Sequence, residues 1–294
     1  MERGARRALL LVLINQVLEN PAWGIGYAFQ LDSPFPDAVL PGGGGDPFFL
    51  TGVITALGLT LAVGGALLSL GSVVWLALGV AGLWITNTLT PDPSHVATLY
   101  DPIVRLLLIP GHTGVVMVIY PLIPWFAIAA FGVAFGLWLQ RDERGAYRAA
   151  PWIGLALVAA ALALRAIGGF GNLRLPRDGS WIEFLNFVKY PPALVLSAFM
   201  VGGNLLSLGW FAGTSRRLGR LSETLAVFGR TPLFFYIAHL WLFAILGALF
   251  FRHAAGLQVL YAVWLVGLVP LWFLCQRYRA FKERKPTESI WRLF

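Results

Sequence analysis

The chain has 294 residues, of which 58% are hydrophobic and only 12% are charged. Soluble globular domains are about 25% charged, so this chain has too little charge to cover a water-exposed surface. The net charge is +8, but the basic residues cluster in short segments between apolar runs, as in cytoplasmic loops and unlike a nucleic-acid surface. We therefore predict an all-α, polytopic integral membrane protein with no nucleic-acid partner.

Apolar runs of about 20 residues, the length that crosses a bilayer, recur along the chain. They predict about eight transmembrane helices within a single transmembrane domain over residues 1–294. The predicted spans are Arg7–Phe29, Phe48–Leu70, Ser72–Leu89, Thr113–Leu139, Pro151–Phe170, Pro191–Phe211, Ala226–Phe251 and Leu257–Gln276.

Basic segments precede the first predicted span and follow the fourth, the sixth and the eighth. The four basic segments contain Arg3, Arg6 and Arg7; Arg141, Arg144 and Arg148; Arg216, Arg217 and Arg220; and Arg277, Arg279, Lys282, Arg284 and Lys285. An even number of spans puts all four segments on one side, which the excess of lysine and arginine identifies as the cytoplasm. Both termini are therefore predicted to be cytoplasmic.

Four polar residues interrupt the first predicted span: Asn15, Gln16, Glu19 and Asn20. Spacings of four residues place them on one broad helical face, which we expect to point into the bundle. Glu19 is a candidate to act as a catalytic base, to pair with a cation or to hold a substrate amine. The alternative is that these groups form interhelical hydrogen bonds that only support the bundle.

Candidate substrate-binding residues lie toward the opposite, outer side. Arg165, near the outer end of the fifth span, either clamps an anion or snorkels to the interface. Asn186, Lys189 and Tyr190 share one face if the segment FLNFVKYPP is helical, and otherwise act as interface anchors. His112, in the preceding outer loop, either contacts substrate or is simply solvated.

The seventh span carries the segment FGRTPLFFYIAHL at Phe228–Leu240. Arg230 lies near its cytoplasmic end, and Pro232 breaks the backbone hydrogen-bond ladder there. Tyr236 and His239 are three residues apart and so share a face. His239 would lie near the middle of the bilayer, where it either shuttles protons or bonds a neighbouring helix as a neutral imidazole.

The cysteine content argues against disulfide and metal chemistry. Cys275 is the single cysteine and lies in the last apolar run. One cysteine cannot form an intrachain disulfide, and the sequence has no metal-ligand spacing. We predict no metal site.

Several segments resemble bacterial relatives of the heparan-α-glucosaminide N-acetyltransferase catalytic domain, a transmembrane acyltransferase family. The resemblance lies in VIYPLIPWFAIAAFGVAFG at Val118–Gly136, FLNFVKYPPALV at Phe184–Val195, FGRTPLFFYIAHLWL at Phe228–Leu242 and the basic ending Cys275–Phe294. It begins after the family's first helices, which carry an Asp-x-x-Arg-Gly pattern, an Asp-His pair and the family's catalytic histidine. We expect acyl transfer if those helices are supplied.

The resemblance implies an enzyme of the bacterial cytoplasmic (inner) membrane that takes an acetyl group from acetyl-CoA and delivers it to a sugar amine or hydroxyl of an envelope glycan. It implies that Arg230, Lys189 and Tyr190 bind the CoA donor and that Tyr236 and His239 line the acyl path. The expected partners are membrane lipids and a glycan or sugar acceptor, with a homo-oligomer left open. The alternatives are a proton-coupled transporter that uses Glu19 and His239, and a non-catalytic membrane scaffold.

Overall fold

The computed structural model describes residues 2–29, 49–91, 101–112, 116–251, 256–287 and 289–292. Helix accounts for 78% of the described residues, which confirms the predicted all-α class in its main feature. The described residues form two compact units, one of residues 2–16 and 49–213 and the other of residues 17–29 and 214–292. The predicted organisation as a single transmembrane domain stays a prediction.

The first unit combines helices with a small sheet. Its elements are α1 (Glu2–Ile14), β1 (Phe49–Thr51), α3 (Val53–Ala66), α4 (Ser72–Leu89), α5 (Pro102–Leu107), β2 (Gly111–His112), β3 (Val116–Val118), α6 (Leu122–Arg141), α7 (Glu143–Ile167), α8 (Trp181–Leu185) and α9 (Leu194–Leu218), the last of which continues into the second unit.

The second unit begins inside the first long helix. Its elements are the end of the π-helical turn Asn15–Glu19, α2 (Asn20–Phe29), α10 (Arg220–Gly229), α11 (Pro232–Phe250), α12 (Leu257–Glu283) and the 3-10 turn Ile290–Arg292. Helix α11 packs on both α2 and α12.

The three-stranded sheet has the order β1–β3–β2, with β1 parallel to β3 and β2 antiparallel to β3. Leu50 of β1 and His112 of β2 both lie opposite Met117 of β3. Strands β1 and β3 lead into α3 and α6 within a few residues. Because β1 and β3 are parallel, these two helices start at the same end of the first unit.

Helices α4 and α6 pack at close range through small residues. A Cβ atom at Gly82 would lie 2.7 Å from the Cβ of Ala127, and one at Gly79 would lie 2.8 Å from the ring of Phe131. Membrane helices, which gain little from apolar burial against each other, use such small residues to bring their backbones together.

The N-terminus of α3 is capped by the side chain of Asn15, the first residue of the π-helical turn that follows α1. Its N-cap residue, Gly52, has no side chain to cap with. Asn15 replaces that function: its Oδ1 accepts from the backbone N–H groups of Gly52 (3.0 Å) and Thr55 (3.2 Å), and its Nδ2 donates to the carbonyl of Leu50 (2.8 Å). Asn15 is fully buried, so these bonds satisfy amides that water does not reach.

Seven helices in the described part of the chain are long and apolar enough to cross a membrane. They are Arg6–Ile25, Ser72–Leu89, Leu122–Arg141, Glu143–Ile167, Leu194–Thr214, Pro232–Phe250 and Leu257–Glu283. Large apolar side chains along them are exposed, for example Val73 (76%) and Val266 (71%). Exposure of this extent suits contact with lipid, and the predicted integral membrane protein is supported at this level.

The predicted second span is shorter than expected. Within Phe48–Leu70, residues 49–51 form strand β1 and the helix covers only Val53–Ala66. Its 14 residues are about 21 Å long, less than the roughly 30 Å hydrocarbon core. The sequence could not separate the strand from the helix, because short strands and buried helices are equally apolar.

Other boundaries also differ from the prediction. The predicted fourth span begins at Thr113, but residues 113–115 lie outside the described residues, 116–118 form β3, and α6 starts after Pro121. Helix α7 starts eight residues before the predicted fifth span, where Oδ1 of Asp142 caps it by accepting from the N–H of Gly145 at 2.9 Å. The predicted seventh span is interrupted between α10 and α11. The predicted third span, Ser72–Leu89, coincides with α4.

Candidate functional site

Tyr236 and Glu19 meet in the second unit although they are 217 positions apart in sequence. The hydroxyl of Tyr236 donates to Oε1 of Glu19 over 2.7 Å. Glu19 is only 1% exposed, while Tyr236 is half-buried. A hydroxyl donor stabilises the charged form of a buried carboxylate, so Tyr236 compensates part of the cost of burying Glu19.

His239 completes this group. Its imidazole lies edge-on to the ring of Tyr236, with 5.3 Å between ring centroids, and parallel to the ring of Phe235 at 5.3 Å. The contact with Tyr236 confirms that these two residues share a helical face. The three predicted catalytic residues, Glu19, Tyr236 and His239, therefore lie together, and we call them the Glu–Tyr–His cluster.

The tautomer of His239 follows from a backbone contact. Nδ1 lies 3.2 Å from the carbonyl oxygen of Phe235. A carbonyl oxygen can only accept, so Nδ1 carries the hydrogen when this bond forms, and in the neutral imidazole Nε2 then holds the lone pair. In that state Nε2 is the nitrogen able to take a proton.

The backbone that presents Glu19 is a π-helical turn, Asn15–Glu19. Such turns are rare and recur at functional sites. Trp241 contacts this turn: its indole N–H donates to the carbonyl of Leu18, the residue before Glu19, over 2.9 Å. Sequence reasoning missed Trp241, because its spacing of five residues from Tyr236 on α11 does not place the two on one helical face.

Arg230 lies at the boundary between α10 and α11. It is exposed and ends α10, and Pro232 opens α11 two residues later. Nζ of Lys282, on α12, donates to the backbone carbonyl of Arg230 over 3.1 Å. Two cationic side chains thus belong to this end of the second unit, which is the charge that phosphate groups require.

The other two predicted cofactor-binding residues lie in the first unit. Nζ of Lys189 lies 5.1 Å from the ring centroid of Tyr190, a cation–π contact. The hydroxyl of Tyr190 lies 3.2 Å from that of Tyr120, whose ring contacts Trp125 at 4.8 Å. The condition for a shared helical face of Asn186, Lys189 and Tyr190 is not met, since α8 ends at Leu185 and the chain continues as irregular structure and a turn.

Arg165 is buried at the end of α7 and organises the loop that follows. Its guanidinium makes five hydrogen bonds, equal to its five N–H donors. The acceptors are the carbonyl oxygens of Phe184 (2.8 Å), Arg174 (2.7 Å), Glu183 (2.9 Å) and Asn186 (3.2 Å), and Oδ1 of Asn172 (3.1 Å). With every donor engaged, Arg165 holds the loop, and the geometry favours this role over the predicted anion clamp.

The Arg165-centred loop also holds Asn186 and a strongly acidic carboxyl group. Nδ2 of Asn186 donates to Oε1 of Glu183 over 2.6 Å, and Arg174 forms an ion pair with Oε2 at 3.0 Å. The Asn186 amide, the backbone N–H of Arg177 and the Arg174 guanidinium hold the pKa of Glu183 at about 2. The predicted substrate residues Arg165 and Asn186 thus lie together as parts of one rigid loop.

The third predicted substrate residue, His112, lies in β2 opposite Met117 and is partly buried. Its role in substrate binding stays a prediction.

Comparison of the chain with models of protein families, with curated proteins and with solved structures found no match.

Proposed function

We propose that the chain is a membrane-embedded acyltransferase that moves an acetyl group from acetyl-CoA to an amine or hydroxyl of a sugar in an envelope glycan. The observation that carries the proposal is the Glu–Tyr–His cluster, with the 2.7 Å bond from Tyr236 to the buried carboxylate of Glu19. Ionisable groups within apolar helices are costly and are retained where they do chemistry.

The proposed reaction uses His239 as the general base, so it does not depend on the histidine of the family's first helices. Nε2 takes the proton from the acceptor hydroxyl or amine while that oxygen or nitrogen attacks the thioester carbonyl. The new C–O or C–N bond forms, the C–S bond breaks, and the CoA thiolate recovers the proton from the imidazolium. Tyr236, held by Glu19, positions the imidazole through the edge contact of the two rings.

Arg230 is placed to bind the donor. It precedes Pro232, the first residue of α11, by two residues, and His239 lies seven residues further on, about 10 Å along the helix axis. CoA carries phosphates at one end and its thioester at the other, joined by an extended arm. Phosphates at the exposed Arg230, with Lys282 bonded to its carbonyl, would direct that arm along α11 toward the cluster. Lys189 and Tyr190 remain proposed donor contacts in the first unit.

The proposal includes eight crossings of the bacterial cytoplasmic membrane, with both termini in the cytoplasm. Helix α3 is short, but a turn of five residues joins it to α4, which is itself long enough to cross. The parallel pairing of β1 with β3 starts α3 and α6 at the same end. If α3 and α6 both cross from the outside to the inside, with α4 returning between them, they must start at the same end. The strand pairing therefore supports counting α3 as a crossing, which gives the even number of eight.

The test reconstitutes the full chain in vesicles with radiolabelled acetyl-CoA and glucosamine, which offers both amine and hydroxyl groups. We expect label transfer that His239→Gln abolishes, since the general base is lost. Tyr236→Phe should lower it by about ten- to a hundredfold, because loss of the hydroxyl bond to Glu19 misplaces the ring that positions the imidazole. Tyr261→Phe is the matched control, because Tyr261 is a 60% exposed tyrosine on α12. Arg230→Gln should raise KM for acetyl-CoA and leave kcat nearly unchanged.

The absence of label transfer by folded protein, or equal loss in Tyr236→Phe and Tyr261→Phe, would rule out the proposed chemistry. Folding is judged by a monodisperse profile in detergent.

A second candidate is proton-coupled transport, which the burial of Glu19 favours. Its carboxylate is 1% exposed and accepts a hydrogen bond from Tyr236. Carboxylates buried in this way among apolar helices carry protons in transporters. Flux that depends on a pH gradient and is lost in both Glu19→Gln and His239→Gln, without acyl transfer by the parent chain, would favour this function.

A further inference from the structure

The longest helix of the described residues is longer than a membrane crossing requires. Helix α12 has 27 residues, about 40 Å, whereas the hydrocarbon core is about 30 Å thick. If the helix enters the core at Leu257, about 20 residues bring it to Gln276. The last two turns, from Arg277, then lie at the level of the lipid headgroups.

The segment after α12 folds back toward the membrane. The hydroxyl of Tyr278 donates to the carbonyl of Trp291, so Trp291 lies level with the first turn outside the hydrocarbon. The rings of Trp291 and Phe281 are 5.8 Å apart. Trp291 is therefore at the depth where tryptophan commonly anchors a protein in the interface. We call residues 277–292 the fold-back segment.

Arg292 holds the fold-back segment closed. Its Nε donates to the carbonyl of Lys285 over 2.8 Å, and its Nη2 donates to the carbonyl of Glu283 over 3.2 Å. Lys285 in turn places its Nζ 4.7 Å from the ring centroid of Phe281. These contacts give the segment a defined shape.

The fold-back segment combines positive charge with exposed apolar side chains. It contains six basic and two acidic residues, a net charge of +4. Arg277 and Arg284 are exposed, and so are Ile290 (48%) and Trp291 (47%). Basic groups interleaved with an aromatic and an aliphatic anchor complement a surface of negative headgroups above hydrocarbon.

We propose that the fold-back segment binds the phosphate headgroups of anionic phospholipids, with Arg277 and Arg284 contacting the phosphates and Ile290 and Trp291 entering the interface. The lipid contacts are assigned to Arg277, Arg284, Ile290 and Trp291, none of which belongs to the Glu–Tyr–His cluster or to the proposed donor site at Arg230 and Lys282, so they can be tested apart from acyl transfer. This interaction makes the C-terminal end of the chain a sensor of lipid charge at the cytoplasmic surface.

The test places an environment-sensitive fluorophore, NBD, on Ile290→Cys in the full chain. Cys275 is fully buried, so the parent chain serves as the labelling control. The protein is reconstituted in nanodiscs of phosphatidylcholine with increasing phosphatidylglycerol. We expect NBD emission to shift to the blue, and its quenching by iodide to fall, as the phosphatidylglycerol fraction rises, with reversal at high salt.

Two variants establish which residues are responsible. Arg277→Gln with Arg284→Gln should weaken lipid binding by the segment roughly fivefold for each arginine removed, and so move the half-maximal response to a higher phosphatidylglycerol fraction. The matched control, Arg141→Gln with Arg144→Gln, removes two exposed arginines from the first unit and should leave the response unchanged. Arg292→Gln should open the segment and leave NBD exposed to iodide in both lipids.

The proposal is overturned if NBD responds equally in neutral and anionic nanodiscs, or if the control pair weakens the response as much as Arg277→Gln with Arg284→Gln. Protection that persists in Arg292→Gln would also overturn it, because the bound shape would then not depend on the fold-back contacts.

Discussion

Replacing Arg165 by glutamine should release the loop between α7 and α9. The five hydrogen bonds of the guanidinium join the end of α7 to four loop carbonyls and to the side chain of Asn172. Glutamine is shorter and has two N–H donors, so at least three of the five hydrogen bonds are lost. Lysine would not replace arginine either, since its three donors diverge from one atom.

The expected cost is about 3 to 5 kcal/mol. A hydrogen bond from a charged donor contributes about 1.5 to 3 kcal/mol, and several such bonds to one group are not additive. Removing one partner of a buried charged network costs about 3 to 5 kcal/mol. Arg165 is 2% exposed, so water does not replace the lost bonds without local opening.

Hydrogen exchange of backbone amides measures this opening locally. The relevant peptide covers residues 169–187, which includes the amide of Phe184, bonded to the carbonyl of Ser180 over 2.9 Å. At 1.4 kcal/mol for each factor of ten, a cost of 3 kcal/mol predicts exchange at least about a hundredfold faster in Arg165→Gln. Peptides from α4 should be unaffected.

Arg177→Gln is the matched control, because it removes the same charge from an exposed position in the same loop. We expect its exchange to change by less than about threefold, as for most surface substitutions. Exchange in Arg165→Gln equal to that of the parent chain would show that the guanidinium does not hold the loop, and the anion-clamp interpretation would then regain support.

Three further predictions concern other described contacts. Asn15→Ala should speed amide exchange in the first turn of α3, because the buried N–H groups there lose their capping acceptor, which destabilises this turn by about 2 to 4 kcal/mol. Asn204→Ala, at an exposed site, should leave this exchange unchanged. Trp241→Phe should lower kcat with little change in KM, because the carbonyl of Leu18 loses the indole N–H and the carboxylate of Glu19, the next residue, is then less well positioned. An unchanged kcat would contradict this prediction. The pKa of Glu183 falls from 4.5 in the unfolded chain to about 2 in the folded chain. Its contribution to loop stability is therefore complete above pH 4.5 and is lost as the pH falls toward 2. Pepsin cleavage of the loop, relative to that of Glu183→Gln, should rise over this range, and a constant ratio would refute the assignment.

Local features of the sequence were sufficient to predict the class of protein and most of the helices. The transfer of apolar side chains from water to lipid depends on composition and length alone, so runs of about 20 residues identify spans without any tertiary contact. The third predicted span coincides with α4 for this reason. The shared face of Tyr236 and His239 was also predictable, because helical periodicity is local.

The partners of the buried polar groups depend on contacts between distant segments. Glu19 was recognisable as a costly group in an apolar helix, but its bond to Tyr236 joins residues 217 positions apart, and no periodicity encodes that pairing. Similarly, the sequence places Arg165 near the outer end of a span, where a cation commonly reaches the membrane surface. In the structure it is buried, because the loop brings five hydrogen-bond acceptors around its guanidinium. Hydrogen bonding is directional and short-ranged, so which acceptor a buried donor finds is set by how the helices and loops pack.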